Sequence, residues 1–143
     1  MKQQIIKSGK GKDYDWSNDH IFVKTTLDFT DGRVTFVEDT LKPGFHLTRH
    51  RHKKMTEIFY VLSGEVEFKF DDEHVVATPG TTINVPKNIW HDVKSAKGGK
   101  LLTIFSPGGF DKYLEEIVAL AKDQLNDEEF MTALSEKYDI WMA

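Results

Sequence analysis

Over its first 109 residues this chain predicts an all-β fold, a barrel or sandwich of antiparallel strands, and three observations carry the prediction. Between Ile21 and Phe105 short runs rich in β-branched and aromatic residues recur, broken about every 8 to 12 residues by turn residues. Within those runs apolar positions repeat at every second residue, as in Val66, Phe68 and Phe70, the period of a strand with one face on a core. After Pro107-Gly108-Gly109 the period changes to that of a helix face, through Phe110, Tyr113, Leu114, Ile117, Val118, Ala121 and Leu125. The expected division is a β domain over 1–109, N-terminal strands included, and a helical extension over 110–143 laid on the barrel wall or on a second subunit.

Taken in order, Tyr14 and Trp16 read as packing residues of an N-terminal loop. Thr30-Asp31-Gly32-Arg33 carries the Asp-Gly of a tight hairpin joining Leu27-Asp28-Phe29 to Val34-Thr35-Phe36-Val37. Residues 45–52 suit a strand, Lys53 to Thr56 a bend, and the next run a returning strand with Glu57, Phe59 and Val61 inside and Ile58, Tyr60 and Leu62 outside. Leu62-Ser63-Gly64-Glu65 turns into Val66–Phe70. Asp71-Asp72-Glu73 then leads to Val75-Val76, and Thr78-Pro79-Gly80 to Ile83 and Val85. Pro86-Lys87-Asn88 is the next break, and Asp92 to Ser95 and Leu101 to Phe105 are the last strands. The extension reads as one helix from Phe110 to Leu125 and a shorter one capped by Asn126, with Asp127, Glu128 and Glu129 in its first turn. Phe130, Leu134, Tyr138 and Trp141 would be its apolar side.

Composition narrows the function. Nineteen basic against 23 acidic side chains give a net charge of −4, which argues against a nucleic-acid surface; the basic clusters Lys7 to Lys12 and Arg49 to Lys54 are too short to reverse that. With no cysteine, a bound metal would have to use His, Asp or Glu, and no disulfide framework is possible. The N-terminus lacks the apolar stretch of a signal peptide, and no run approaches the ~18 apolar residues of a membrane span, so a soluble cytoplasmic protein without membrane or nucleic-acid partners is expected.

Three of the six histidines lie between Gly44 and Gly64. On a regular strand His46, His50 and His52 share one face, and an antiparallel return brings Glu57 beside them. Two imidazoles converging in an apolar barrel are costly unless hydrogen-bonded or metal-bound. A divalent cation offsets that cost and accepts the carboxylate as well; nitrogen and oxygen donors without sulfur suit Fe, Mn, Ni, Co, Cu or Zn. His46, near the strand's start, is expected at the pocket mouth or in solvent, and His20 and His74 exposed in a loop and a turn. For a third nitrogen, His91, opening the strand after Trp90, is the best candidate, though nothing local demands it.

The spacing Gly44, five residues, His50-x-His52, four residues, Glu57, six residues, Gly64 resembles the first signature of the cupin superfamily. Gly80, five residues, Pro86, then His91 resembles the second, with Asn88 where glycine is usual and Ser95 where asparagine is usual. Those departures bear on turn geometry, since all four ligand types are kept. Over residues 34–106 the resemblance implies a double-stranded β-helix, a jelly-roll barrel, with His50, His52, Glu57 and His91 as metal ligands on its inner face. A looser likeness, from Gly9 to Glu116, is to small single-domain cupins related to quercetin dioxygenase.

Three histidines and a glutamate leave open coordination positions, the mark of a catalytic rather than a structural metal. The resemblance therefore implies an oxygenase acting with O2 on a small molecule bearing adjacent oxygens, a flavonol, diketone or enediol, with Glu57 also the candidate general base. Two other readings stand beside it: a metal-dependent isomerase, lyase or hydrolase without O2, and a ligand-binding cupin without turnover. By analogy with small cupins, an exposed strand edge and Trp141 are expected to serve a homodimer.

Overall fold

Alternation decides which way each strand faces, and in the computed structural model, which describes residues 1–143, the inward positions meet between two antiparallel sheets. In chain order the strands are β1 (Lys12–Trp16), β2 (Asp19–Thr25), β3 (Thr35–Leu41), β4 (Phe45–Arg51), β5 (Thr56–Gly64), β6 (Val66–Phe70), β7 (His74–Ala77), β8 (Thr82–Val85), β9 (His91–Ser95) and β10 (Gly99–Ser106). Three helices follow, α1 (Phe110–Val118), α2 (Lys122–Leu125) and α3 (Glu128–Lys137), and a last short strand, β11 (Trp141–Met142). One sheet has the order β1-β2-β3-β10-β5-β8, the other β11-β4-β9-β6-β7. Strands distant in sequence thus become neighbours, as a jelly roll requires.

One buried cluster, with Leu41, Phe45, Phe59, Val61, Phe68 and Val93 among its members, fills the space between the sheets. Each such side chain contributes roughly 1.5–3 kcal/mol by leaving water. A second cluster joins Tyr14, Val37, Met55 and Phe105 to Leu114 of α1, so the extension is anchored to the barrel by its apolar stripe. Along β5 the expected faces hold: Glu57, Phe59 and Val61 are buried, while Tyr60 and Leu62 are exposed. Gly64 takes φ +77 beside Gly98, where a Cβ would meet the Gly98 carbonyl oxygen at 2.5 Å. Only glycine closes that turn.

Several local expectations are corrected. Tyr14 and Trp16 lie in β1 rather than a loop; Tyr14 is buried opposite Ile21, and His20 sits within β2, its Nε2 2.7 Å from Asp13 Oδ2. His74 begins β7 rather than sitting in the turn before it, and is exposed as expected. Leu27-Asp28-Phe29 is not a strand. Thr30 Oγ1 and the Gly32 N–H bond back to the carbonyls of Thr26 and Leu27, and the Leu27 N–H is taken by the Asp111 carboxylate, so the segment coils into turns. The long helix divides: the N–H groups of Ala119 and Leu120 fall back on Glu116 and Ile117, tightening the last turn of α1, and Ala121 is extended before α2. Asp127, not Asn126, caps α3, its carboxylate accepting the Phe130 N–H at 3.0 Å, because Asn126 is used to close α2. Trp141 is engaged within the chain, where β11 pairs with β4.

Candidate metal centre

β4 begins with Phe45 facing the core, so strict alternation would turn His50, five residues on, to the outside. A register shift between Leu47 and His50 against β9 inserts the extra residue that returns His50 to the inside, opposite His91. The same shift explains why His46 does not share its face: His46 is exposed, 3.7 Å from Asp92. His52 follows at the end of β4, and Glu57 enters from β5. The structure brings the four sequence-selected residues together. One donor atom from each of His50, His52, Glu57 and His91 lies within 4.8 Å of the others, and all four residues are buried. The flanking basic residues face away: Arg49 pairs with Asp71, and Arg49 and Arg51 lie over the Trp90 ring.

Hydrogen bonds fix which ring nitrogen faces inward. His50 Nδ1 donates to the Thr48 carbonyl at 2.7 Å, His91 Nδ1 to that of Ile89 at 2.9 Å, and His52 Nδ1 to that of Asp139 at 2.7 Å. A carbonyl only accepts, so each proton belongs on Nδ1, leaving every neutral Nε2 with a lone pair aimed at the centre. Yet Glu57 Oε1 lies 3.1 Å from His52 Nε2 and 3.0 Å from His91 Nε2. Lone pair then faces lone pair in a buried site, a clash that only a second proton or a metal ion resolves. The donor set therefore fits one divalent transition-metal ion.

Burial holds His50 neutral, lowering its pKa to about 4 against the pull of Glu57. Burial also opposes the charged form of His52, but the bond to Glu57 outweighs it and the net shift is upward. Glu57 is pushed up by burial and pulled further down by His52 and His91, so it stays a carboxylate well below its ordinary range.

Residues not singled out in the sequence complete the surroundings. Asp139, in a left-handed conformation at φ +63, accepts the backbone N–H groups of Lys53, Lys54 and Met55 at 2.8 to 2.9 Å, as well as the Trp141 indole N–H. It thereby clamps the bend between His52 and Glu57 and presents its own carbonyl to His52. Asn88 occupies the glycine-like position at φ +67, a conformation asparagine tolerates, and donates its N–H to the His52 carbonyl at 2.7 Å. Ser95 is buried with Oγ bonded to the Glu65 carbonyl, so both signature departures are accommodated. His50, His52 and Glu57 open onto a largely apolar cavity of about 290 Å³, with His91 fully buried behind them. Tyr113, Ile117, Ile140 and Met142 close it from the C-terminal side. The helical period anchored the extension in the sequence, but no local signal showed that it lines the cavity.

Comparison with known proteins agrees with this geometry. Residues 37–105 match the family model of the cupin domain. Quercetin 2,3-dioxygenase of Bacillus subtilis (strain 168) is 27% identical over 89 residues, 62% of this chain but 26% of that protein, so the match spans about a quarter of the relative's length. The solved structure of KdgF from Halomonas sp. superposes with a TM-score of 0.68 at 18% identity, covering 76% of this chain and 99% of that one. An RmlC-like cupin from Shewanella frigidimarina gives 0.67 at 21%, covering 77% and 96%, and ectoine synthase from P. lautus 0.68 at 18%, covering 80% and 86%. At such identities the structural likeness speaks for the fold alone. Two packed antiparallel sheets, both signatures and the matched family model lead to one conclusion: residues 37–105 of the chain form a cupin domain.

Proposed function

We propose that the protein is a metal-dependent enzyme, an oxygenase acting on a small organic molecule with adjacent oxygens of the flavonol, diketone or enediol type. The observation that carries this reading is the convergence of three Nε2 lone pairs and one carboxylate at a single buried point facing an apolar cavity. His50, His52, Glu57 and His91 would hold the metal, which when bound supplies Lewis-acid and redox chemistry at positions these four leave open.

The chain's own residues do the rest. Thr48, Ile89 and Asp139 carbonyls orient the three imidazoles, so little reorganisation is needed at the centre. Apolar cavity walls exclude water from the reacting carbon frame. Both imidazole contacts of Glu57 fall on Oε1, which leaves Oε2 to accept the proton of a substrate hydroxyl; the low pKa of Glu57 makes it a ligand first and a base second. Residues 1–109 act as the cupin unit and 110–143 as the extension that closes its cavity. The kinship with quercetin 2,3-dioxygenase over 62% of the chain supports the substrate class.

An oxygen electrode tests the reading. Protein loaded in turn with Fe(II), Mn(II), Ni(II) and Co(II) is given a panel of flavonols, diketones and enediols, and metal-dependent O2 uptake is expected with at least one class. Substrate loss without O2 uptake would instead establish an isomerase or lyase, and metal-dependent binding without turnover a ligand-binding cupin.

A further inference from the structure

The cavity that receives His50, His52 and Glu57 has a second polar wall, built from Asp19 on β2, Asp39 on β3 and Thr103 on β10. All three are buried, and Asp19 is only 8% exposed. Thr103 Oγ1 donates to Asp39 Oδ2 at 2.6 Å. Asp19 Oδ1 is buried with no hydrogen-bond partner. Strand order and register separate this wall from the metal centre: Asp39 is two strands from Glu57, with β10 between, and its partner Leu101 lies four residues along β10 from Phe105, the partner of Glu57.

Two carboxyl groups side by side in an apolar wall cannot both ionise, and they share one proton. Burial, then the neighbouring Asp39, push Asp19 up to about 10, while burial raises Asp39 as well. Both shifts run upward, as expected of a pair that shares a proton. That leaves Asp19, which lines the cavity, with a carbonyl-like oxygen and no donor to satisfy it. A cation is a poor match, because Lys42 already bears on Asp19; Glu38 and Glu57 are the further charged groups that bear on Asp39.

We infer that Asp19, held by Asp39 and Thr103, is a specificity-determining residue that accepts a hydrogen bond from a substrate hydroxyl at the end of the cavity away from the metal. The substrate class becomes a molecule with adjacent oxygens at one end, an apolar body, and a hydroxyl at the far end. This rests on the metal-centre reading given under Proposed function.

The test measures anaerobic binding of 3-hydroxyflavone and its 4′-hydroxy counterpart to the full chain, with and without one equivalent of Mn(II). In the wild type the added hydroxyl should tighten metal-dependent binding about tenfold, the effect of one good hydrogen bond. Asp19→Asn, which keeps an acceptor oxygen and an N–H for Asp39, should retain that preference, and Asp19→Leu should bring the ratio to about 1 with metal content unchanged. Metal-dependent binding with equal affinities in wild type and Asp19→Leu would overturn the subsite and leave the metal centre standing. A hydroxyl preference that ignores Mn(II) but vanishes in Asp19→Leu would overturn the metal reading and keep the subsite. No binding of either probe would overturn both.

Discussion

Two buried polar clusters face one cavity from different strands, and they are built in opposite ways. Around His50, His52, His91 and Glu57 every outer nitrogen is tied to a backbone carbonyl, so the inner lone pairs are fixed and crowded. Around Asp19 and Asp39 the arrangement is open: one oxygen is held by Thr103 and another has no partner at all. The first cluster lacks positive charge at its centre, the second lacks a hydrogen-bond donor. The contrast teaches that burial alone does not define a site; what each set of atoms still needs tells which ligand it suits.

The sharpest way to break this contrast is to remove a ligand. Glu57→Gln or His91→Ala should weaken metal binding by more than the ~100-fold that loss of an outer-shell partner reaches, read by metal analysis after dialysis, while Asp19→Leu should leave metal content alone. Retention of full occupancy by either ligand variant would merge the two clusters into ordinary core polar groups.

Next in size is the clamp. Asp139→Ala removes an acceptor shared by three backbone N–H groups in the bend, and metal affinity should fall about 10- to 100-fold by titration, with a lower Tm. Bonds from those N–H groups outweigh burial and hold Asp139 below its ordinary range. Its stabilising contribution is thus present above the unfolded value of ~3.9 and is lost as pH falls through the folded value, so the Tm gap between wild type and Asp139→Ala should narrow in acid.

Asp19 should behave with the opposite sign. Its folded pKa, about 10, lies above the unfolded ~3.9, so the wild type loses stability as pH rises across that window. Asp19→Asn, which cannot ionise, should be more stable than the wild type at pH 7, with the gain vanishing below about pH 4, as followed by denaturant titration. A pH-independent gain would show that ionisation is not what Asp19 costs the fold. The smallest effect belongs to His46→Ala: metal content unchanged and stability within ~0.5 kcal/mol, because this exposed imidazole stands outside both clusters.

How much of this could be read in the sequence follows from the same physics. The candidate metal cluster was legible because His50, His52 and Glu57 crowd into eight residues, and because glycines that close turns, such as Gly64, carry the spacing of the signatures. His91 needed the resemblance, since only the pairing of β4 with β9 sets it opposite His50. His46, expected at the pocket mouth or in solvent, is exposed; it leaves the face of His50 because a bulge changes parity and leaves no local mark. Asp139 and Asp19 were missed for different reasons. Asp139 acts through backbone contacts 84 to 86 positions away in sequence. Asp39, between Val37 and Leu41, and Asp19, ahead of Ile21 and Val23, were visible irregularities on inward-facing stripes: carboxylates where alternation calls for an apolar side chain.

Anomalous diffraction from crystals of the protein loaded with Mn(II) tests the central claim most directly. The account predicts one strong peak within ~2.0–2.3 Å of Nε2 of His50, His52 and His91 and of a Glu57 carboxylate oxygen, and its disappearance in His91→Ala. A peak elsewhere in the molecule, or a loaded crystal with no density among these four side chains, would contradict it.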